Sequence, residues 1–294
     1  GGPWVNDIIN RVTGTNSRRN VRLVKGSHLI TPKFWEGANA YLVQNHDKRV
    51  IFINPYEGDK ALIGTTDIPF DGKPEDVRAE DDEIDYLLAA VNRYFKLKLR
   101  REDVLETFSG VRPLYDDGQG NPSAVTRDYV FDLETSAGAP LLNVFGGKIT
   151  TFRKLSEHAL QKLKGVFPQM KGDWTAKAPL PGGDIPNADF LGFLGALQDD
   201  YPWLPRKLAH HYGRLYGTRT RMILGDARSL ADLGRHFGAL LYEAEARYLR
   251  EHEWARHADD VLIRRTKQAL HMTPEERQAF TDWFDGVPAR TSEG

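Results

Sequence analysis

The sequence predicts an α+β fold in which an antiparallel sheet with a covering helix is followed by an all-α C-terminal domain. Runs rich in valine and isoleucine fill residues 22–66 and alternate with short polar turns, which is typical of antiparallel strands. An apolar stripe of helical period occupies residues 84–95, behind an acidic start at 80–83 that favours a helix N-terminus. Strand-like runs end at residues 179–183, and helical segments joined by glycine- and proline-containing turns follow.

Two further helix starts carry clear signals. Pro3 suits the first turn of a helix, and the apolar residues between positions 5 and 12 follow at helical spacing. In the C-terminal domain, Thr273 can act as N-cap, with Pro274 next and Glu276 three residues after the cap. We therefore predict that the chain opens on a helix and that another begins at Pro274.

Arg112 is predicted to lie at the end of a strand formed by residues 104–111. Pro113 follows it, and a proline restricts the residue before it to extended geometry. Two more strands are predicted at residues 124–133 and 141–145.

The strand at 141–145 leads through Gly146 and Gly147 into a helix, whose apolar residues keep a helical period between positions 152 and 163. The charged residues that we expect to face outward on this helix are Arg153, Lys154 and Glu157.

The Gly146-Gly147-Lys148 turn is a candidate binding site. Two glycines before a helix leave backbone N–H groups open to an anion or to a polar ring edge, and Lys148 adds a full positive charge. Thr150 and Thr151 offer hydroxyl groups beside it. Taken alone, the two glycines are explained at least as well by a tight connection between a strand and a helix.

Composition excludes several classes of function. The 294 residues are long enough for about two domains, and 40 basic against 41 acidic side chains give a net charge of -1, so we expect no nucleic-acid partner. With no cysteine, the chain has neither disulfide nor thiol chemistry of its own.

In the C-terminal domain, His210, His211, His252 and His257 lie among carboxylates, but they do not form a metal motif. His252 and His257 are five residues apart, whereas zinc ligands on one helix face are four apart. We therefore expect no metal site. The histidines predicted to be exposed helix residues are His210, His211, His252 and His257.

His28 and Arg112 each lie near a glycine within or beside a predicted strand. An imidazole can take up a proton near neutral pH, and a guanidinium can hold a phosphate or carboxylate through two hydrogen bonds. Together they would suit an anionic alcohol. Each also has a structural explanation: a hydrogen-bonded sheet histidine, and an arginine paired with Asp116 or Asp117. Spacing alone does not bring the two together.

The segments that carry a family resemblance are, in order, GPWV, VRLVKGSH, IGTTD, SGVRPL, TRDY, FGGKITTFRKL, EHEWARHADD and IRRTKQ. Together they resemble the FAD-dependent, respiratory type of glycerol-3-phosphate dehydrogenases over nearly the whole chain. The resemblance implies FAD as cofactor and oxidation of sn-glycerol 3-phosphate to dihydroxyacetone phosphate, with electrons passed to a quinone.

The resemblance also implies roles for single residues. Arg112 would hold the substrate, His28 would face the carbon that is oxidised, and Lys148 would lie beside flavin and substrate. His28 is the first candidate for the base, with Lys148 or a water molecule as alternatives. The residues implied to contact the cofactor are Gly2, Pro3, Gly146, Gly147, Lys148, Ile149 and Thr150.

Because the chain begins Gly1-Gly2 without methionine and the family's N-terminal dinucleotide-binding segment is not in it, we expect a C-terminal portion that does not retain FAD or turn over by itself. Visible absorbance of the purified chain would test this. The expected regions are a remnant helix of the FAD-binding domain (1–20), a substrate-binding sheet domain (21–115), the C-terminal part of the FAD-binding domain (116–168) and a helical domain (180–294).

Several partners follow from the resemblance. These are the substrate, a quinone acceptor, a membrane surface contacted through the full-length protein, and a second copy of the chain in a homodimer. The expected location is the cytoplasm, peripherally on the cytoplasmic membrane. Two alternatives stay open: a glycerol-3-phosphate oxidase that uses oxygen, and a non-enzymatic interaction module formed by the helical domain.

Overall fold

The computed structural model describes residues 1–14, 19–116, 128–135 and 138–286. The chain divides into two compact units, Gly1–Ala176 and Lys177–Gly294. The first contains an antiparallel sheet with helices and the second is mainly helical, in agreement with the mixed fold that the sequence predicts.

In unit 1 a 3-10 turn at Gly2–Trp4 leads into the first helix, and a 3-10 turn at Ile149–Thr151 leads into the last one. The helices are α1 (Val5–Thr13), α2 (Asp81–Tyr94) and α3 (Phe152–Lys162). The strands are β1 (Val21–Pro32), β2 (Tyr41–Gln44), β3 (Val50–Tyr56), β4 (Lys60–Gly64), β5 (Ile68–Pro69), β6 (Glu106–Tyr115), β7 (Tyr129–Glu134) and β8 (Leu141–Gly146). Of the strand predicted at 124–133, residues 124–127 lie outside the described residues.

The twelve-residue strand β1 is the centre of the main sheet. On one side of β1, strand β4 pairs with residues 28–32 of β1 and strand β5 pairs with residues 24–25. On the other side, β6 pairs with residues 21–30 of β1. All of these pairings are antiparallel. Since β2 and β3 extend the sheet beyond β4, β6 is an edge strand among the described strands.

Helix α2 covers one face of this sheet. Leu29, Ile53 and Ile63 are fully buried there against Leu87 and Val91 of the helix. Full burial of such a side chain stabilises the fold by roughly 1.5–3 kcal/mol relative to exposure. A capping box formed by Glu80 and Glu83 fixes the start of α2.

The hairpin β7–β8 forms a separate small sheet. Its buried Phe145 packs with Val5 and Ile9 of α1. The prediction that Glu157 of α3 faces solvent is wrong, because this carboxylate is 2% exposed. Lys154, Thr175 and Arg153 bond to it and hold its pKa at about 2, so its negative charge is compensated where it is buried.

Unit 2 contains the helices α4 (Phe190–Asp200), α5 (Arg206–Tyr216), α6 (Thr220–Leu224), α7 (Glu243–His252) and α8 (Pro274–Gly286). Its core includes the fully buried Phe280 and Phe284. Helix α8 begins with the predicted capping box: Glu276 N donates to Thr273 Oγ1 and Thr273 N donates to Glu276 Oε2. The expectation that no strands follow residue 183 is wrong, since β9 (His236–Gly238) and β10 (Leu241–Tyr242) form a short hairpin.

The predicted exposure of the unit 2 histidines holds for His210, His252 and His257 but not for His211. The prediction that His257 lies in a helix is wrong, because α7 ends at His252. The His211 side chain is 9% exposed, and its Nε2 lies 2.8 Å from Oε1 of the fully buried Glu245. Helical spacing alone does not show which neighbouring element covers a residue. Among the described residues, no cluster of metal-binding side chains is found and no helix is long and apolar enough to cross a membrane.

Candidate functional site

His28 lies on the sheet face that α2 does not cover. In register it faces Gly64 of β4 and Phe108 of β6, and directly opposed residues of antiparallel strands share a face. Its ring stacks on Phe108, with centroids 4.8 Å apart and planes 7° apart. The ring also fills the space that a Cβ atom at Gly64 would occupy, so this approach depends on a glycine.

Two causes lower the pKa of His28 below its ordinary value of 6.5: first burial, and second the positive charge of Arg112. The imidazole is therefore neutral at pH 7. Its Nδ1 atom is buried and has no hydrogen-bond partner among the described residues. A neutral imidazole can accept a proton, which is what a base requires.

Arg112 lies inside β6 and not at its end, so this part of the prediction is wrong. The strand continues to Tyr115, with Arg112 opposite Val24 and Pro113 opposite Leu23. Pro113 has no N–H to donate, but an edge strand tolerates a proline because it has a partner on one side only. The strand therefore continues past the residue at which the sequence suggested that it stops.

The guanidinium of Arg112 is held by the segment between β4 and β5. Nη1 donates to Asp67 Oδ1 at 2.9 Å and to the Thr66 carbonyl at 3.4 Å, and Nη2 donates to Thr65 Oγ1 at 2.9 Å. A guanidinium has five N–H groups. Three of them form these hydrogen bonds, so two have no partner among the described residues and could bind a ligand.

The expected partner of Arg112 was a different carboxylate. Asp116 instead pairs with Arg22 at 3.1 Å, and Asp117 lies outside the described residues. Asp67 belongs to the segment IGTTD, which carried the family resemblance but no assigned role. An acidic residue that follows two threonines directly after a strand was the signal that could have identified it.

The fold brings Arg112 close to His28, which spacing alone could not predict. The guanidinium lies over Gly26, where a Cβ atom would be 2.5 Å from Arg112 Nη2. Gly26 is two residues from His28 on the same strand and face, a separation of roughly 7 Å along a strand. Gly110, opposite Gly26 on β6, has open space above it.

Gly110 leaves open space on this face, beside the guanidinium of Arg112 and the imidazole of His28, and we call this space the recess. The positions above Gly26 and Gly64 are already filled, by Arg112 with Thr65 and by His28 respectively. A small ligand could lie against the backbone at Gly110, next to both side chains. Arg112 supplies charge and N–H donors for an anionic group, and His28 supplies a group that accepts a proton. The arrangement suits a small alcohol that carries a phosphate or carboxylate.

The Gly146-Gly147-Lys148 turn lies next to the C-terminal end of β6. A Cβ atom at Gly146 would be 3.2 Å from the backbone nitrogen of Tyr115, three residues after Arg112. Gly146 and Gly147 have φ of 69° and 93°, in the left-handed region that favours glycine. The opening turn, which includes Gly2 and Pro3, also lies against β6.

Residues 147–150 are all exposed, and Ile149 is 88% exposed. No side chain caps the 3-10 turn that starts after Lys148, so its N–H groups are not taken by a capping residue. An exposed backbone edge with an adjacent lysine suits the polar edge of a flavin or another electron-rich group. The residues present therefore fit the cofactor that the sequence resemblance implies.

Family comparisons agree with this interpretation. Residues 1–152 match the family described as FAD dependent oxidoreductase, and residues 174–285 match the C-terminal domain of alpha-glycerophosphate oxidase.

Similar proteins cover nearly the whole chain. D-erythritol 1-phosphate dehydrogenase of Brucella abortus is 69% identical over 286 residues, which are 97% of this chain and 57% of the relative. Aerobic glycerol-3-phosphate dehydrogenase of Escherichia coli is 44% identical over 284 residues, 96% of this chain and 56% of the relative. The chain thus spans somewhat more than half the length of these relatives.

Among solved structures, glycerol-3-phosphate dehydrogenase from Bacillus halodurans complexed with FAD superimposes with a TM-score of 0.75 over 97% of this chain and 60% of that one. At 24% identity this likeness shows the fold. With the family match over more than half of the residues, the resemblance predicted from sequence is confirmed: the chain belongs to the FAD-dependent oxidoreductases, and FAD is the cofactor of its family.

Proposed function

We propose that the whole protein oxidises a secondary alcohol of a phosphorylated polyol to a ketone, with FAD as the electron acceptor. The observation that carries the proposal is the placement of Arg112 and the neutral His28 beside one recess on the open face of the sheet. An anionic alcohol is the ligand that uses both groups.

For the substrate itself, we propose D-erythritol 1-phosphate first and sn-glycerol 3-phosphate second. The order follows identity, since the relative named for the first is 69% identical and the relative named for the second is 44% identical. The two compounds share a phosphate and a secondary alcohol, so the same pair of side chains could serve either.

In this mechanism Arg112 binds the substrate phosphate through the two N–H groups that its protein partners leave available. Asp67 and Thr65 fix the direction of the guanidinium. The neutral imidazole of His28 is the first candidate to take the hydroxyl proton, and Lys148 or a water molecule is the alternative base.

FAD, when bound, supplies the acceptor for the two electrons that leave the substrate. The residues of this chain that would contact it are Gly2, Pro3, Gly146, Gly147, Lys148, Ile149 and Thr150. The exposed backbone at 147–150 offers N–H groups to the flavin, and Lys148 adds a positive charge that steadies anionic groups nearby.

A substrate comparison tests the proposal. The whole protein, purified with FAD, would be assayed with an artificial electron acceptor on D-erythritol 1-phosphate, sn-glycerol 3-phosphate, erythritol and glycerol. We expect turnover of at least one phosphorylated compound and a much higher KM for its unphosphorylated counterpart. Equal activity with and without the phosphate would contradict the role of Arg112.

The natural electron acceptor is a separate part of the proposal. We propose a quinone, which requires the whole protein to contact a membrane, and we propose the cytoplasmic face as the place of that contact. Oxygen consumption with peroxide formation at the rate of substrate oxidation would instead indicate an oxidase, and a quinone analogue reduced without oxygen uptake would support the dehydrogenase.

A further inference from the structure

A buried polar network lies beneath the recess, on the sheet face that α2 covers. Its centre is Glu83 of α2, whose side chain is 2% exposed. Lys25 Nζ lies 2.6 Å from Glu83 Oε2, and the hydroxyls of Ser27 and Thr66 donate to Oε1 at 2.7 and 2.8 Å. Burial alone would raise the pKa of Glu83, but these bonds and one from the backbone N–H of Glu80 lower it overall.

Thr66 connects this network to the open face. Its hydroxyl donates to Glu83 and accepts the backbone N–H of Ser27 at 2.9 Å, and the residue is 1% exposed. Its carbonyl oxygen accepts from Arg112 Nη1 at 3.4 Å and from Thr65 Oγ1 at 3.0 Å. The side chain is thus fixed below the sheet while the backbone contacts the guanidinium above it.

The segment that holds Arg112 has no strand ladder of its own. β4 ends at Gly64 and β5 begins at Ile68, so Thr65, Thr66 and Asp67 lie between two strands. A segment outside a strand keeps one conformation only where other groups form hydrogen bonds with it. Here the Thr66 hydroxyl bonds the Glu83 carboxylate, whose charge is neutralised by the buried Lys25. A shift of Thr66 would move the three groups that orient Arg112.

We propose that Thr66 is a positioning residue for the substrate phosphate, acting through Arg112 and anchored by Glu83. The inference rests on the proposed function, because it assigns Arg112 to the phosphate. Without the hydroxyl, the segment 65–67 would lose its anchor and the guanidinium would sample other directions. We expect the substrate phosphate to bind about tenfold more weakly, which corresponds to a loss of about 1.4 kcal/mol of binding free energy.

Thr66→Val removes the hydroxyl at nearly constant shape, and Thr66→Ser keeps it. Thr31→Val is the matched control, because Thr31 is a fully buried threonine on the same covered face whose hydroxyl bonds only the nearby Pro32 carbonyl. In the FAD-loaded enzyme, we expect Thr66→Val to raise the KM for the polyol phosphate and the inhibition constant of inorganic phosphate about tenfold, with a small effect on kcat. Thr66→Ser and Thr31→Val should stay near wild type.

A second measurement follows Arg112 directly, without substrate turnover. In arginine-labelled protein, the Nε–H resonance of Arg112 should broaden and exchange faster with water in Thr66→Val than in Thr66→Ser. If Thr66→Val does not fold, Thr66→Cys gives the same comparison, because its thiol keeps most of the volume of the side chain but forms only weak hydrogen bonds.

The inference is overturned if Thr66→Val and wild type share the same KM, phosphate inhibition and Arg112 exchange, or if Thr66→Ser weakens phosphate binding as much as Thr66→Val. A wild-type enzyme that oxidises no polyol phosphate would contradict the proposed function instead, and the Arg112 resonance would then still decide whether Thr66 positions the guanidinium.

Discussion

The two faces of the main sheet both carry charged residues, but they use them differently. On the covered face, Glu83 and Lys25 are buried and bonded to each other and to neighbouring hydroxyls. On the open face, Arg112 keeps two N–H groups without a partner among the described residues and the buried Nδ1 of His28 has none. Unused hydrogen-bonding capacity, more than charge, therefore distinguishes the candidate ligand face from the structural face.

Substitution of Glu83 should have the largest effect on stability, because it removes the buried ion pair with Lys25 on the covered face. Glu83→Ala leaves Lys25 charged and buried without its partner, and such a loss destabilises a protein by about 3–5 kcal/mol. The free energy of unfolding from urea titration would measure it. Glu36→Ala is the control, since Glu36 is exposed, and a similar loss in both variants would contradict the comparison.

His28→Ala should chiefly affect the chemical step. Loss of a general base costs roughly 10²–10⁴-fold in rate, so we expect kcat to fall by at least the lower figure while KM changes less. Stability should fall by about 0.5–1.5 kcal/mol, through loss of the stacking on Phe108. If kcat stayed near wild type, another group such as Lys148 would be the base.

Arg112→Met should chiefly affect substrate binding. A hydrogen bond to a charged group contributes about 1.5–3 kcal/mol, so the KM for the polyol phosphate should rise on the order of 10–100-fold. Inorganic phosphate should cease to inhibit. An equal rise in KM for the unphosphorylated alcohol would show that the residue does not contact the phosphate.

Acid pH should also lower the free energy of unfolding through Glu83, but by less than Glu83→Ala does. The pKa of Glu83 is lower in the folded protein than its ordinary 4.5, despite the opposing effect of burial, so its contribution to stability is present above that value and is lost as pH falls through the folded pKa. Unfolding at a series of pH values should show a loss below about pH 4.5 that is absent from Glu83→Gln. An unchanged profile in that variant would contradict the assignment.

The strands β1 to β4 follow from runs rich in valine and isoleucine between polar turns, and helix α2 follows from an apolar stripe of helical period. What periodicity could not show is contact between distant segments. The partner of Arg112 is Asp67 and not Asp116. Glu157 is bonded by Thr175 and His211 by Glu245, residues that lie outside the helices of Glu157 and His211. The continuation of β6 past Pro113 was missed because an edge position is a property of the sheet and not of the strand.

The candidate site was predictable as separate residues but not as a site. His28, Arg112 and the Gly146-Gly147-Lys148 turn were identified from the sequence, and the fold brings Arg112 to His28 and Gly146 to the end of β6. Thr66 and Glu83 gave no signal of their own, since a buried threonine and a helix-start glutamate both have ordinary structural roles.

The most direct test of the central claim is whether substrate reduces the bound flavin of the whole protein in the absence of oxygen. The oxidised protein is mixed with D-erythritol 1-phosphate or sn-glycerol 3-phosphate, and the visible absorbance of the flavin is monitored. We predict rapid bleaching with at least one of them, and in Arg112→Met the same bleaching only at much higher substrate concentration. Flavin that stays oxidised with both compounds, or an Arg112→Met variant that responds as wild type does, would contradict the account.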